Sequence, residues 1–162
     1  MSDNNLVWCF KQKRGLRIIE PNTNLSKAYL KKAVSALNTM TVALKINETD
    51  WVTTTAYYAR YFALYALLMK IGVKSEIHDC TIAVARLLAR NGNLSHVMVD
   101  DIAQAKQTRI DVQYYVENEQ SHTEIQHNVD AARKFVLETE KIIENLTPEQ
   151  IINIRTQLEK LK

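Results

Sequence analysis

One run constrains the fold more than any other. Ala56-Tyr57-Tyr58-Ala59-Arg60-Tyr61-Phe62-Ala63-Leu64-Tyr65-Ala66-Leu67-Leu68-Met69 is apolar or aromatic at every position except Arg60. A helix without a polar face has to be surrounded by other elements, so this run is predicted to be the central helix of a bundle. At about 14 residues it would extend roughly 21 Å, short of the roughly 20 apolar residues that a bilayer span needs, and no membrane span is expected. The chain has 162 residues with only three glycines and two prolines. That composition favours long helices with few tight turns, and the length suits one core that buries about two-thirds of the unfolded surface. The expected fold class is all-α: an up-and-down helical bundle of four to five long helices plus a C-terminal helix.

Punctuation along the chain divides it into a basic, irregular N-terminal segment (1–23), a helical bundle (24–146) and a C-terminal amphipathic helix (147–162). A short helical turn is predicted around Leu6 to Phe10, within a segment, Ser2 to Asn22, that Gly15 breaks and Pro21-Asn22 ends. Asn24 is placed to cap a first long helix with Leu30, Ala33, Val34, Leu37, Thr41 and Leu44 at helical spacing, its Lys27, Lys31, Lys32 and Lys45 falling on other faces. Thr49 or Asp50 starts the central helix, and Gly72 stands where a left-handed C-cap is required. Ser75 is the predicted N-cap of a third helix, about Glu76 to Arg90, followed by the turn Asn91-Gly92-Asn93. A fourth helix, roughly Val97 to Glu117, carries the stripe Ile102, Ala105, Arg109, Val112 and Val116. Ser121-His122-Thr123-Glu124 fits a capping box for a fifth, with Ile125, Val129, Ala132, Val136, Thr139, Ile143 and Leu146 on one seam. Thr147-Pro148-Glu149-Gln150 is a second capping box, opening a sixth helix with Ile151, Ile154, Leu158 and Leu161.

Charge is uneven: +5 over residues 1–34, +2 over 35–99 and −4 over 100–162. Lys11, Lys13, Arg14 and Arg17 cluster beside Trp8 and Phe10, a pattern compatible with phosphates, with an acidic partner or with the chain's own acidic C-terminal third. The small net charge gives no general nucleic-acid signature. Cys9 and Cys80 lie far apart with no CxxC spacing and no signal peptide before them, so they are expected as reduced thiols of a cytoplasmic protein.

Few residues carry candidate chemistry. Arg109 shares the apolar stripe of its helix, so its guanidinium points toward packed groups, where an unpaired charge is costly. Either a structural partner receives it, such as Asp111 of the partner subunit or tyrosine hydroxyls, or a phosphate does, with Tyr114 or Tyr115 stacking on a base. Arg60 poses the same question, and its long stem can run the charge to the bundle surface. His78 sits in the first helical turn, where the dipole favours a neutral imidazole. Tyr57, Tyr58, Tyr61 and Tyr65 give an aromatic surface suited to core and dimer seam. Arg90 and His96 are spaced as a catalytic pair might be, but they straddle a glycine turn and read as a chance match. There is no HExxH, paired CxxC, Walker loop or Gly-rich dinucleotide turn, so no metal, cofactor or catalytic residue is expected.

The order of these features resembles the HEPN domain (higher eukaryotes and prokaryotes nucleotide-binding). The resemblance rests on Ala56-Tyr57-Tyr58-Ala59, then Leu67-Leu68, the Gly72 turn and His78. Arg109-Ile110-Asp111-Val112-Gln113-Tyr114-Tyr115 also resembles the signature of an uncharacterised archaeal and bacterial branch, and Trp8 to Gly15 with Pro21-Asn22 its leader. The resemblance implies a helical bundle, commonly a homodimer, often partnered by a small nucleotidyltransferase in toxin–antitoxin pairs. It also implies nucleotide or RNA contact through Arg109, Asp111, Tyr114, Tyr115, Tyr58, Arg60 and His78. Ribonuclease branches place a histidine four to six residues beyond the arginine, as base at a 2′-hydroxyl beside a phosphate-binding cation. Here tyrosines occupy positions 114 and 115 and His122 is too distant. Three readings follow: a binding subunit without catalysis, a metal-independent ribonuclease toxin, and a helical scaffold that recruits a partner through its last helix.

Overall fold

A computed structural model describes residues 4–116 and 119–162. Its elements are α1 (Asn4–Lys11), β1 (Arg17–Ile18), α2 (Thr23–Lys45), α3 (Thr49–Ile71), β2 (Val73–Lys74), α4 (His78–Arg90), α5 (His96–Tyr114), α6 (His122–Asn145) and α7 (Pro148–Glu159). The class is all-α, as composition required. The apolar run lies within α3, which α2, α5 and α6 surround, and Ala56, Ala59, Ala63, Leu64, Ala66 and Leu68 have no exposed surface. Small side chains at these positions let the neighbouring helices approach closely, and each buried leucine contributes about 1.5–3 kcal/mol. A smaller cluster of Met40, Ala43, Val52, Ala56, Ile125, Val129 and Ala132 joins α2, α3 and α6.

Local signals placed most helix ends. Both capping boxes form, Ser121 with Glu124 and Thr147 with Gln150. The first long helix is capped by Asn22, which accepts from the Leu25 amide, and not by Asn24. On that helix Val34 faces outward and Met40 takes a core position. Ser75 is not the cap of α4: its hydroxyl bonds to Ile77 in a tight turn, and the helix starts at His78. The displaced residues Val73 and Lys74 instead pair antiparallel with Ile18 and Arg17, a ladder too short to show as alternation in sequence. α5 ends at Tyr114, leaving Val116 exposed; the expected terminus at Glu117 lies outside the described residues.

The cysteines are not free thiols. Cys9 and Cys80 are disulfide-bonded, with their Cα atoms 5.7 Å apart across a separation of 71 residues. The packing of α1 on α4 brings them together, which spacing in sequence does not encode, and a bonded pair gives no indication of a reducing compartment. Closing so long a loop is worth about 2–4 kcal/mol. With the ladder and the Glu76 amide bonded to the Arg14 carbonyl, the bond ties the N-terminal segment to the chain between α3 and α4. Arg14 also pairs with Glu76 at 3.6 Å, so part of the basic cluster is matched near the middle of the chain and not by its acidic end.

Gly72 closes α3 with φ 76°. A Cβ there would collide with the Arg155 guanidinium, the Ile19 carbonyl oxygen and the Pro21 nitrogen. Arg155 on α7 donates through Nη1 to the carbonyls of Ile19, Ile71 and Gly72 at 2.6, 3.0 and 3.1 Å, which places a cation on the C-terminus of α3. Gly92 has a similar φ of 74° but nothing around its Cβ position. Gly92→Ala is therefore expected to cost about 1–2 kcal/mol for the backbone alone, and Gly72→Ala about 1–3 kcal/mol more for the collision. Urea midpoints of the two variants check this; equal losses would show that the crowding around Gly72 relaxes freely.

Candidate functional site

The polar candidates gather where α3, α5 and the start of α4 meet. Tyr57, Tyr58 and Tyr61 fall on neighbouring positions of one α3 face, and Lys106 and Arg109, three apart on α5, share a face toward them. Gly72, the β-ladder and the Ser75 turn set the entry of α4, so that its first residue, His78, lies on the same tyrosines. The imidazole stacks on Tyr61 with centroids 4.1 Å apart and planes at 12°. Its Nδ1 bonds to the Tyr57 hydroxyl at 2.5 Å. The Arg109 guanidinium lies over the rings of Tyr57 and Tyr58, 5.1 and 5.9 Å from their centroids, within cation–π range. Its Nη1 donates to Gln113 Oε1 at 3.2 Å, while its Nε is buried with no partner. Lys106 pairs with Asp79, the residue after His78, at 2.5 Å.

Electrostatics assign protons to this cluster. Burial first, then the neighbouring Tyr61, raises the Tyr57 hydroxyl well above the usual phenol range, so it keeps its proton. Burial, followed by the charges of Arg109 and Lys106, lowers the pKa of His78 and keeps the imidazole neutral. A buried hydroxyl loses more from an unpaired proton than from a spare lone pair, so Tyr57 donates to Nδ1 and the neutral ring carries its proton on Nε2. His78 is then a donor. Arg109 and His78 offer N–H groups, with Lys106 beside them engaged by Asp79, an arrangement suited to holding an anion at Arg109.

The lowered pKa has a consequence for stability. Below its ordinary value of 6.5 the unfolded histidine binds a proton that the folded one refuses, so ν(U) exceeds ν(N) and stability rises with pH through that window. The contribution is complete above about pH 6.5 and is lost as pH falls from there toward the folded value. Denaturation midpoints between pH 7.5 and 5 should therefore fall less in His78→Gln, which still accepts from Tyr57, than in the parent. Parallel curves would remove His78 as the cause.

The remaining candidates lie elsewhere. Arg60 does not run to the surface: it is 1% exposed, and its Nε and Nη2 donate to Asp101 at 2.7 and 3.1 Å. It also donates to the carbonyls of Ala56 and Asn128, which leaves it committed to the core. Asp111 accepts from Gln107 one turn back on its own helix, at 2.8 Å. Tyr114 and Tyr115 are exposed at the end of α5, Tyr114 lining a separate hollow with Trp51. Arg90 and His96 line a hollow of about 320 Å³ with Arg86, Asn5 and Leu6, away from the tyrosines. Tyr57, Lys106 and Gln113 were not singled out as site residues from the sequence, although Lys106 and Gln113 stand one helical turn from Arg109 and that spacing could have found them.

The model of the HEPN domain matches residues 26–146, a span that contains every residue of the cluster. No curated protein matches the chain.

Proposed function

Because the chain belongs to the HEPN domain family, we propose that it is a helical binding protein that holds a phosphate of a nucleotide or an RNA at Arg109. The observation that carries this is the guanidinium itself, stacked on Tyr57 and Tyr58 with a buried, partnerless Nε, beside the neutral donor His78. The face of Tyr58, which is half-buried, adds a surface on which a base or ribose can rest. Resemblance to the nucleotidyltransferase-associated branch extends the proposal: the protein acts as a homodimer beside a minimal nucleotidyltransferase in a toxin–antitoxin-type pair. Fluorescence anisotropy of a labelled single-stranded RNA tests the binding, with affinity expected to weaken as salt rises. Absence of binding at low salt overturns it. Co-purification with a nucleotidyltransferase encoded beside this chain tests the partnership.

A second reading, a metal-independent ribonuclease, draws on the same contacts. The histidine absent after Arg109 on α5 is supplied by α4, since His78 and Arg109 both touch Tyr57. With its proton on Nε2, however, His78 is a donor rather than a base at a 2′-hydroxyl, and that favours binding over cleavage. Cleavage of single-stranded RNA without metal, abolished in both Arg109→Ala and His78→Gln, would establish the second reading instead.

A further inference from the structure

Two large, mostly exposed aromatic rings lie one to two helical turns from the cluster, at the start of α3 and the end of α5. Trp51 is 60% exposed and Tyr114 is 73% exposed, and both line one hollow of about 460 Å³ between the start of α3 and the end of α5. A volume of that size falls within the range of small-molecule sites, about 300–1,000 Å³. Its remaining wall is Val112, and its polar rim is Asp50, Thr54 and Gln113. The rim connects it to the phosphate position: Gln113 accepts from Arg109 Nη1 at 3.2 Å and donates to Thr54 at 3.2 Å. We propose that the Trp51–Tyr114 hollow is a stacking slot for an unpaired base, adjoining the phosphate held at Arg109, so that the ligand is a single-stranded nucleic acid. The proposal rests on the phosphate-binding reading of Arg109 and goes beyond it in naming the ligand class and the residues that select it.

The chemistry divides between the two ends. The carboxylate of Asp50 disfavours a phosphate in the hollow but accepts from base N–H groups, while Arg109 and Lys106 favour the phosphate at the other end. From Arg109 to Tyr114 the helix rises about 7.5 Å, roughly one nucleotide of extended strand. Aromatic stacking is indifferent to base identity, so the slot confers a preference for unpaired strands over duplex, with little sequence selectivity.

Trp8 and Trp51 are the two tryptophans of the chain, so Trp8→Phe leaves Trp51 as the single reporter. In that background, a single-stranded RNA hexamer should quench Trp51 saturably, with the same midpoint as the anisotropy of the labelled hexamer. Trp51→Ala should weaken the hexamer about 5- to 100-fold, with Trp51→Phe recovering most of the loss. Ribose 5-phosphate, which has no base, should bind both variants like the parent. Because Trp51 is largely exposed, unchanged thermal melting is expected for each variant and confirms the fold. If the hexamer binds but Trp51 is not quenched and Trp51→Ala binds equally well, the slot is overturned while the Arg109 reading stands. If the hexamer does not bind the parent at all, that reading fails and the slot with it.

Discussion

Asp101→Ala is expected to destabilise the protein by about 3–5 kcal/mol. Arg60 sits inside the apolar helix and holds Asp101 through two nitrogens, at 2.7 and 3.1 Å. Removing the carboxylate strands a guanidinium in the core, with only the carbonyls of Ala56 and Asn128 left to it. Removing the arginine instead is milder. Asp101 is 26% exposed and regains water, so Arg60→Met, which keeps the volume, should cost about half as much, and Arg60→Met with Asp101→Leu should return to within about 1 kcal/mol of the parent. Urea denaturation of the parent and the three variants measures these losses, and adding Asp101→Leu alone closes the double-mutant cycle with Arg60→Met. A loss below about 1 kcal/mol for Asp101→Ala would mean that Arg60 escapes to solvent and that α5 is not anchored to α3 by this pair.

Arg109→Ala should weaken binding of single-stranded RNA by about 100-fold, the loss of one to two charge-assisted hydrogen bonds at about 1.5–3 kcal/mol each. Stability should move the other way or not at all. The buried Nε of Arg109 has no partner in the free protein, so its removal relieves a desolvation cost that offsets the lost contacts to Tyr57, Tyr58 and Gln113, and the melting temperature should hold or rise. That divergence separates a ligand-holding arginine from a structural one, which would lose both. Arg109→Lys is expected to restore little affinity, because an ammonium has neither the planar face that rests on Tyr57 and Tyr58 nor the paired donors for a phosphate. The slope of log affinity against log salt should become shallower by about one for the lost phosphate contact. An Arg109→Ala protein that melts lower and binds as before would place the residue among the packing contacts.

Much of the architecture was legible because it is local. The period of the α6 seam, the two capping boxes and the left-handed Gly72 each depend on residues within a turn or two of one another, where backbone sterics and hydrogen-bond bookkeeping suffice. Errors came where two local solutions compete. Asn22 and Asn24 are both good caps, and the earlier one is used where the Pro21 segment packs against Gly72. Ser75 is a good cap that a two-residue ladder with the N-terminal segment diverts into a turn. The cluster itself was partly visible: Arg109 was expected to turn inward, and it does, yet its neighbours came from three elements.

The sequence by itself determined an all-α bundle built around one apolar helix, because a helix without a polar face leaves no other way to remove so much surface from water. Tertiary structure alone decided which charges are available. Arg60 and Arg109 look alike in sequence, each an arginine on an apolar stripe. The rotation of α5 against α3 gives Arg60 the carboxylate of Asp101, 41 residues away, and gives Arg109 the faces of two tyrosines and the amide oxygen of Gln113 but, among the described residues, no carboxylate. Other helix contacts join Cys9 to Cys80, through α1 on α4, and His78 to Tyr57, through α4 on α3. Such pairings depend on helix rotations of a few tens of degrees, which the hydrophobic pattern tolerates and only close packing resolves.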